Sequence, residues 1–294
     1  MSEEYRKEVK INVDVFNEFV QKRDVQTLTE IAILICFDKR FIAYRNYLLS
    51  TWNNEKARTI FDKIMFQFVM QVFEQHIFLK TSPEMRDHWK FFCMKNNAAD
   101  WAQIYYDRKL DLKLKVYIDI EKRLHEVKNI LFIQLGCSSG REIFHFANLF
   151  RNHEFIGIDS FQSVINFCND KYNLSNLFFK KLLLENIDIL MNECKKSIII
   201  FSSGTMQYSQ PEAICSILKK IKSYNAELFL LEPLSSEGRV NFNANINSTY
   251  RGNLAFNHRY KYLFNLLEFK EITSEIIVTD NEMVSEFYYH GTSN

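Results

Sequence analysis

The sequence predicts an α/β fold with a mostly parallel sheet, preceded by a helical region. The first observation is residues 130–135, an apolar run with the character of a buried strand, followed by two glycines four positions apart and then by a helical pattern. The second is another apolar run, residues 154–159, that ends in an acid. The third is the strand and helix alternation that follows, which is typical of parallel sheets.

Residues 1–128 have a mainly helical pattern. An apolar stripe covers residues 13–20, a capping box begins at Thr27, and Ser82 with Pro83 is typical of a helix start. Glycine (7) and proline (3) are scarce, which favours long helices. We expect this region to be a helical cap, either a lid over a substrate pocket or an oligomerisation element that forms a homodimer. Residues 129–294 would form the second domain.

The turn after the first strand has the composition of a nucleotide-binding loop. Gly136 and Gly140 allow positive φ and close backbone approach, and the following helix N-terminus offers unpaired N–H groups. Asp159 lies 19 positions after Gly140. An acid about 20 residues beyond such a turn is placed to accept both hydroxyl groups of a ribose.

These residues resemble a known family. Gln134-Leu-Gly136-Cys-Ser-Ser-Gly140, followed by Gly157-Ile-Asp159-Ser160, is similar to the class I S-adenosylmethionine (SAM)-dependent methyltransferases. Gln134 stands where that family carries an acid, and Ser138 where it carries a glycine. The resemblance covers about residues 129–290. It implies a Rossmann-like sheet with an antiparallel C-terminal strand, which two strand-like runs at 269–279 and 284–289 would supply.

The same resemblance implies SAM as the cofactor and assigns residues to it. Gln134 would hydrogen-bond the methionine amine, and Leu183, after the third strand, would stack on the adenine. Ser203 and Gly204 follow the fourth strand, where the loop would face the SAM methyl group. The full set is Gln134, Gly136, Cys137, Ser138, Gly140, Asp159, Ser160, Leu183, Ser203 and Gly204.

Candidate catalytic and acceptor residues lie in later loops. His258 could act as the base for a hydroxyl acceptor because its ordinary pKa of about 6.5 is near neutral, but a structural histidine is an equal alternative. Glu232, at the tip of the fifth strand, is a second catalytic candidate or simply a loop acid. Tyr208, Arg251 and Arg259 would contact the acceptor, although solvated surface arginines are as common.

Residues 257–260, Asn-His-Arg-Tyr, resemble a segment of bacterial sugar O-methyltransferases. That resemblance implies O-methylation of a sugar or natural-product hydroxyl. Two alternatives stay open: another SAM-using transferase that moves the aminocarboxypropyl arm, or an inactive SAM-fold binding or regulatory module. A dehydrogenase is disfavoured because the turn lacks Gly-x-Gly-x-x-Gly spacing.

The net charge, the cysteines and the apolar runs limit the kinds of partner that we expect for this protein. A net charge of +1 does not indicate a nucleic-acid-binding face. The six cysteines form no Cys-x-x-Cys pair and have no zinc spacing, so we expect reduced thiols and no metal. The N-terminus lacks the apolar core of a signal peptide, and its longest apolar run, residues 31–37, is too short to span a bilayer. We therefore expect a cytoplasmic protein that acts on a small molecule without membrane attachment.

Overall fold

The computed structural model describes residues 25–52, 58–192, 194–235, 248–278 and 284–292. The stripe predicted over residues 13–20 lies outside these ranges. The chain divides into two compact units, Met1–Asn97 and Ala98–Asn294. This division falls earlier than the boundary after residue 128 that the sequence analysis placed. The function of the helical region as a lid or as an oligomerisation element stays a prediction.

The described part of the first unit is helical, as expected. Ser82 caps the fourth helix and Pro83 occupies its first position, in agreement with the sequence prediction. Thr27, however, lies inside the first helix, which already includes Val25, so the capping box predicted there is wrong. The helices are α1 (Val25–Phe37), α2 (Ile42–Ser50), α3 (Ile60–His76) and α4 (Pro83–Met94).

Strands and helices alternate in the second unit. Two helices, α5 (Ala98–Asp107) and α6 (Lys115–Glu126), precede the first strand. There follow β1 (Leu131–Leu135), α7 (Arg141–Leu149), β2 (Glu154–Asp159), α8 (Gln162–Lys171), β3 (Leu177–Lys181), α9 (Asp188–Met191), β4 (Ile198–Ser203), α10 (Pro211–Ser223) and β5 (Glu227–Ser235). The chain continues through β6 (Thr249–Gly252), β7 (Ala255–Asn257), α11 (Tyr260–Leu266), β8 (Lys270–Val278) and β9 (Val284–Thr292).

Seven of these strands form one sheet in the order β3-β2-β1-β4-β5-β9-β8. The first five run parallel to one another, whereas β9 is antiparallel to both of its neighbours, β5 and β8. The carboxyl ends of β1, β2, β4 and β5 therefore meet at one edge. The predicted fold class, a Rossmann-like sheet with an antiparallel C-terminal strand, is confirmed.

Both faces of this sheet are buried, which explains why its central strands are almost wholly apolar. Alternate residues of β1 contribute to two separate cores: Ile133 and Leu135 pack on one face and Phe132 on the other. Gln134 shares the face of Phe132 because side chains alternate along a strand. It is the one polar residue of β1, at a position where apolar residues would complete the core.

The segment that carries the predicted acceptor residue Arg251 forms a hairpin. Strands β6 and β7 are antiparallel, and Thr249 pairs with Asn257. The turn between them contains three consecutive residues with positive φ, Gly252, Asn253 and Leu254. Gly252 and Asn253 are typical turn residues, whereas leucine is unusual in that conformation. Residues 236–247 lie outside the described ranges.

Two further findings concern the described residues. No helix among them is both long enough and apolar enough to cross a bilayer. All six cysteines are within the described ranges, and each is a free thiol.

Substitution of a buried strand residue tests the central position of β1. Ile133 is fully buried, and Ile133→Ala should lower the free energy of unfolding by about 2–5 kcal/mol because it leaves a cavity. The matched control is Ile189→Ala, since Ile189 is 62% exposed; it should cost less than about 0.5 kcal/mol. Urea titrations followed by tryptophan fluorescence measure both. Equal losses would contradict the assigned burial.

Candidate functional site

The turn after β1 depends on backbone conformations that favour glycine. Gly136 and Gly140 have φ values of +60° and +70°, and Ser138 between them has +45°. A Cβ on Gly136 would lie 2.2 Å from Oγ1 of Thr205, so only glycine allows the turn and the loop after β4 to touch. Gly140 is the N-cap residue of α7, where the first amides of the helix have no partner within it.

Asp159 lies directly against this turn, as its spacing predicted. Its Oδ2 accepts a hydrogen bond from the Ser138 amide at 3.3 Å, and its Oδ1 accepts one from the Phe161 amide at 3.1 Å. Burial raises the pKa of Asp159 to about 6, although these amides act in the opposite direction. Ser160 is half-buried beside it. Cys137 is buried, and its amide donates to the Ile158 carbonyl at 2.8 Å.

The remaining predicted cofactor residues lie after β3 and β4. Leu183 is 39% exposed and begins a short 3₁₀ turn. Ser203 ends β4, and Gly204, with φ +65°, donates its amide to the Leu231 carbonyl at 2.8 Å. Because neighbouring parallel strands end at the same edge, the strand order places these side chains and Asp159 along one line. Their roles in binding a cofactor stay predictions.

Gln134 has a partner that the sequence analysis missed. The amide is buried, and its Nε2 donates to the carboxylate of Glu142, which also accepts from the Tyr117 hydroxyl. Burial raises the pKa of Glu142, while Tyr117, Gln134 and Ser203 lower it through hydrogen bonds. The available signal was an acid in the first turn of a helix that follows a glycine turn, where the helix dipole favours a negative charge.

Glu232 is a fully buried carboxylate that holds a neighbouring loop. Its Oε1 accepts from the Ser202 hydroxyl at 2.7 Å and from the Thr205 and Met206 amides at 3.0 and 2.9 Å. Its Oε2 accepts from the Gln207 amide at 3.2 Å. Four donors on one carboxylate explain Glu232 as a structural residue. The alternative catalytic role of Glu232 stays a prediction.

His258 is also buried, and both of its ring nitrogens contact the protein. Nε2 lies 3.1 Å from the Met206 carbonyl, and Nδ1 lies 2.7 Å from the Ser248 hydroxyl. Because a carbonyl can only accept, Nε2 carries a proton and donates to Met206, while Nδ1 and the Ser248 hydroxyl share a second hydrogen bond. The imidazole therefore joins the β6–β7 hairpin to the turn after β4. This arrangement suits a structural role, and the role of His258 as a base stays a prediction.

The three residues predicted to contact the acceptor differ in their burial. The pKa of Tyr208 is raised to about 12, mainly by burial and also by Tyr105, while the charge of Arg251 acts in the opposite direction. Arg251 is half-buried and donates to the Pro233 carbonyl at 3.3 Å. Arg259 is only 2% exposed, so its side chain does not line a surface. Tyr208 lies in the turn after β4, and Arg251 contacts Pro233 of β5. Contact of all three residues with an acceptor stays a prediction.

Helix α5 packs beside the glycine turn. The Tyr106 ring lies 5.9 Å from Phe167 and 6.4 Å from Tyr172, and the Tyr172 hydroxyl donates to the Ser139 carbonyl at 3.0 Å. Arg141, the first residue of α7, donates to the Tyr105 carbonyl at 3.1 Å. Aromatic residues of α5 therefore support the turn from the side of α8.

Within the described ranges, no three His, Cys, Asp or Glu side chains are grouped so that they could hold a metal ion.

No protein-family model matches the chain, and no curated protein matches it in sequence. Among solved structures it is similar to magnesium protoporphyrin IX methyltransferase from Synechocystis PCC 6803 with bound S-adenosylhomocysteine (SAH), at 13% identity, covering 77% of this chain and 98% of that one, with a TM-score of 0.43. It is also similar to 1,6-didemethyltoxoflavin-N1-methyltransferase from Burkholderia thailandensis, at 11% identity, 72% and 90% coverage and a TM-score of 0.49.

A third similar structure is a SAM-dependent methyltransferase from Anabaena variabilis, at 12% identity, 67% and 94% coverage and a TM-score of 0.46. Each of the three TM-scores lies below 0.5. The fold of this chain is therefore defined by its own strand order and strand directions.

The raised pKa of Glu232 predicts a pH-dependent stability. The folded chain keeps the Glu232 proton up to about pH 7, whereas an unperturbed glutamate loses it near 4.5. The contribution of this group to stability is therefore complete below about pH 4.5 and is lost as the pH rises through 7. The Glu232→Gln side chain cannot titrate. Urea titrations give the unfolding free energy of the wild type and of the variant, and the difference, wild type minus variant, should become smaller as the pH rises from about 4.5 to 7.

The matched control is Glu212→Gln, because Glu212 is exposed on α10. The difference in unfolding free energy for this exposed position is the reference with which the Glu232→Gln difference is compared. If the unfolding free energy of the wild type minus that of Glu232→Gln instead increases with pH, the predicted direction is wrong.

Proposed function

We propose that this protein is a SAM-dependent methyltransferase that acts on a small-molecule acceptor. The observation that carries the proposal is the sheet order β3-β2-β1-β4-β5-β9-β8 with β9 antiparallel, combined with Asp159 hydrogen-bonded to the glycine turn. In open α/β sheets, ligands bind beyond the carboxyl ends of the strands. The antiparallel closing strand is the feature that separates this family from dinucleotide dehydrogenases.

The residues at this edge fit the parts of SAM in order. Leu183 after β3 would contact the adenine, Asp159 at the end of β2 would accept the ribose hydroxyls, and the glycine turn would pass beneath the molecule. Ser203, the last residue of β4, and Gly204 after it would border the methionine portion of SAM. SAM supplies a methyl group already activated by the sulfonium, so the protein contributes mainly proximity and orientation.

The acceptor is the finer part of the proposal: a hydroxyl of a sugar or a similar natural product. It is supported by the resemblance of residues 257–260 to bacterial sugar O-methyltransferases and by the position of Tyr208 and Arg251 beyond β4 and β5. A cytoplasmic location and a homodimer through the N-terminal helices belong to the same proposal. Light scattering on the purified chain would test the dimer.

A second candidate function is a SAM-fold module that binds its ligand without turnover. One observation favours it: both proposed catalytic side chains, His258 and Glu232, already form hydrogen bonds within the protein. Incubation of the chain with radiolabelled SAM and a panel of hydroxylated acceptors separates the two functions. Label transfer to any acceptor supports the enzyme, whereas tight binding with no transfer across the panel supports the module.

The cofactor assignment predicts that Asp159→Ala abolishes SAM binding. Loss of the carboxylate removes the acceptor of the ribose hydroxyls and frees the Ser138 amide. We expect isothermal titration calorimetry to show a loss of at least about 100-fold in affinity for SAM and SAH, because two charge-assisted hydrogen bonds disappear. The matched control, Asp170→Ala on the exposed side of α8, should bind like the wild type. An unchanged affinity in Asp159→Ala would exclude this carboxylate from the site.

A second test concerns His258. If the imidazole is the base, His258→Ala should keep SAM affinity, lower kcat by about 10²–10⁴-fold, and remove the rise of kcat with pH near 6.5. If the imidazole is structural, the melting temperature should fall because the bonds to Ser248 and Met206 are lost, and the pH profile of kcat should keep its shape. Thermal melts and pH-rate profiles on the acceptor found in the screen distinguish these outcomes.

A further inference from the structure

Two carboxylates lie close together beside the glycine turn. Glu142 is the second residue of α7, and Glu286 is near the start of β9, opposite Pro233 of β5. Burial is the main reason that the pKa of Glu142 is raised, and the negative charge of Glu286 adds to the effect. Burial also raises the pKa of Glu286. This end of the glycine turn therefore carries concentrated negative potential.

No cation compensates this pair within the described part of the chain. No Lys, Arg or His forms an ion pair with Glu142 or Glu286 there, and none contributes to the pKa of either carboxylate. Three neutral donors hold Glu142 instead: the Tyr117 hydroxyl, the Gln134 amide and the Ser203 hydroxyl. A carboxylate offers about four acceptor positions, so one position remains for a ligand.

Gln134 provides an independent sign of a missing donor. Its side chain is 1% exposed, and its Oε1 has no hydrogen-bond partner among the described residues, while its Nε2 is bound to Glu142. Buried amide oxygens in native proteins are nearly always paired. A primary ammonium group has three N–H donors, which can serve the open acceptors of both Glu142 and Gln134.

The position of this cluster identifies which part of a ligand would reach it. The proposed adenine residue, Leu183, follows β3, and the proposed ribose residue, Asp159, ends β2, both at one side of the sheet. Gln134 and Ser203 belong to β1 and β4, on the other side of Asp159, where the amino-acid portion of SAM would lie. That portion carries the primary ammonium.

We infer that Glu142, together with Gln134, binds the α-ammonium group of the amino-acid portion of SAM. The inference rests on the proposed function and names a residue for it. The negative charge that is missing at position 134 is then supplied from position 142, by a carboxylate that Gln134 itself helps to orient. Glu286 strengthens the negative potential from β9.

The test compares two ligands that differ only in this portion of the molecule. SAH contains the amino-acid group, and 5′-methylthioadenosine has the same adenine and ribose without it. For Glu142→Gln we expect calorimetry to show SAH affinity reduced by about tenfold or more, because a hydrogen bond to a charged group is lost. Affinity for 5′-methylthioadenosine should stay within about twofold of the wild type.

Two further variants and one control keep the test decisive. Glu286→Gln leaves the hydrogen bonds of Glu142 intact. It should lower the affinity for SAH but leave the affinity for 5′-methylthioadenosine unchanged. The matched control is Glu126→Gln, at the exposed end of α6, which should change neither affinity. The exchange of the two residues, Gln134→Glu with Glu142→Gln, returns a charge to the cluster and should recover most of the SAH affinity.

The outcomes separate the inference from the proposed function. Unchanged SAH affinity in Glu142→Gln, or an equal loss for both ligands, overturns the inference while the wild-type binding still supports the proposed function. A wild-type chain that binds neither ligand contradicts the proposed function itself.

Discussion

The turn after β1 is held from both sides, and the whole carboxyl edge of the sheet depends on that contact. On one side Asp159 of β2 accepts the Ser138 amide. On the other side Thr205 packs against Gly136, where any side chain would collide with it. Thr205 is itself bound to Glu232 of β5. Four neighbouring strands are thus connected through one glycine turn, so a change at Gly136 would move groups on β4 and β5 as well.

Glu232 and Glu142 show how similar residues at one edge can have different functions. Glu232 is fully buried and accepts four hydrogen bonds from the end of β4 and the loop after it, which offset only part of the cost of burying a charge. Glu142 is half-buried, has another carboxylate as a neighbour, and shares its site with an unsatisfied amide oxygen. The first carboxylate already has its donors in the protein, whereas the second lacks a cation that a ligand can bring.

A buried polar network around Met206 also connects neighbouring elements at this edge of the sheet. Its amide donates to Glu232 and its carbonyl lies against His258, so a single residue couples β5 to the β6–β7 hairpin. His258 in turn bonds Ser248 at the entrance of that hairpin. Breaking a connected network of this kind usually costs more than one isolated hydrogen bond. The hairpin is inserted between β5 and α11, yet it is fixed to the edge where Tyr208 and Arg251 lie.

The sequence by itself determined the fold class, the glycine turn and Asp159. These features are local: an apolar run, two glycines and an acid at a set distance follow from the geometry of one strand–helix–strand unit. It did not reveal the β6–β7 hairpin, because its strands are only four and three residues long and Leu254 adopts a left-handed conformation that leucine rarely takes. Only the tertiary structure decided that His258 and Glu232 are buried and hydrogen-bonded, and that Glu142 meets Tyr117 and Gln134. Each of those contacts joins residues on different elements, and burial of a polar group depends on what packs around it rather than on its neighbours in the chain.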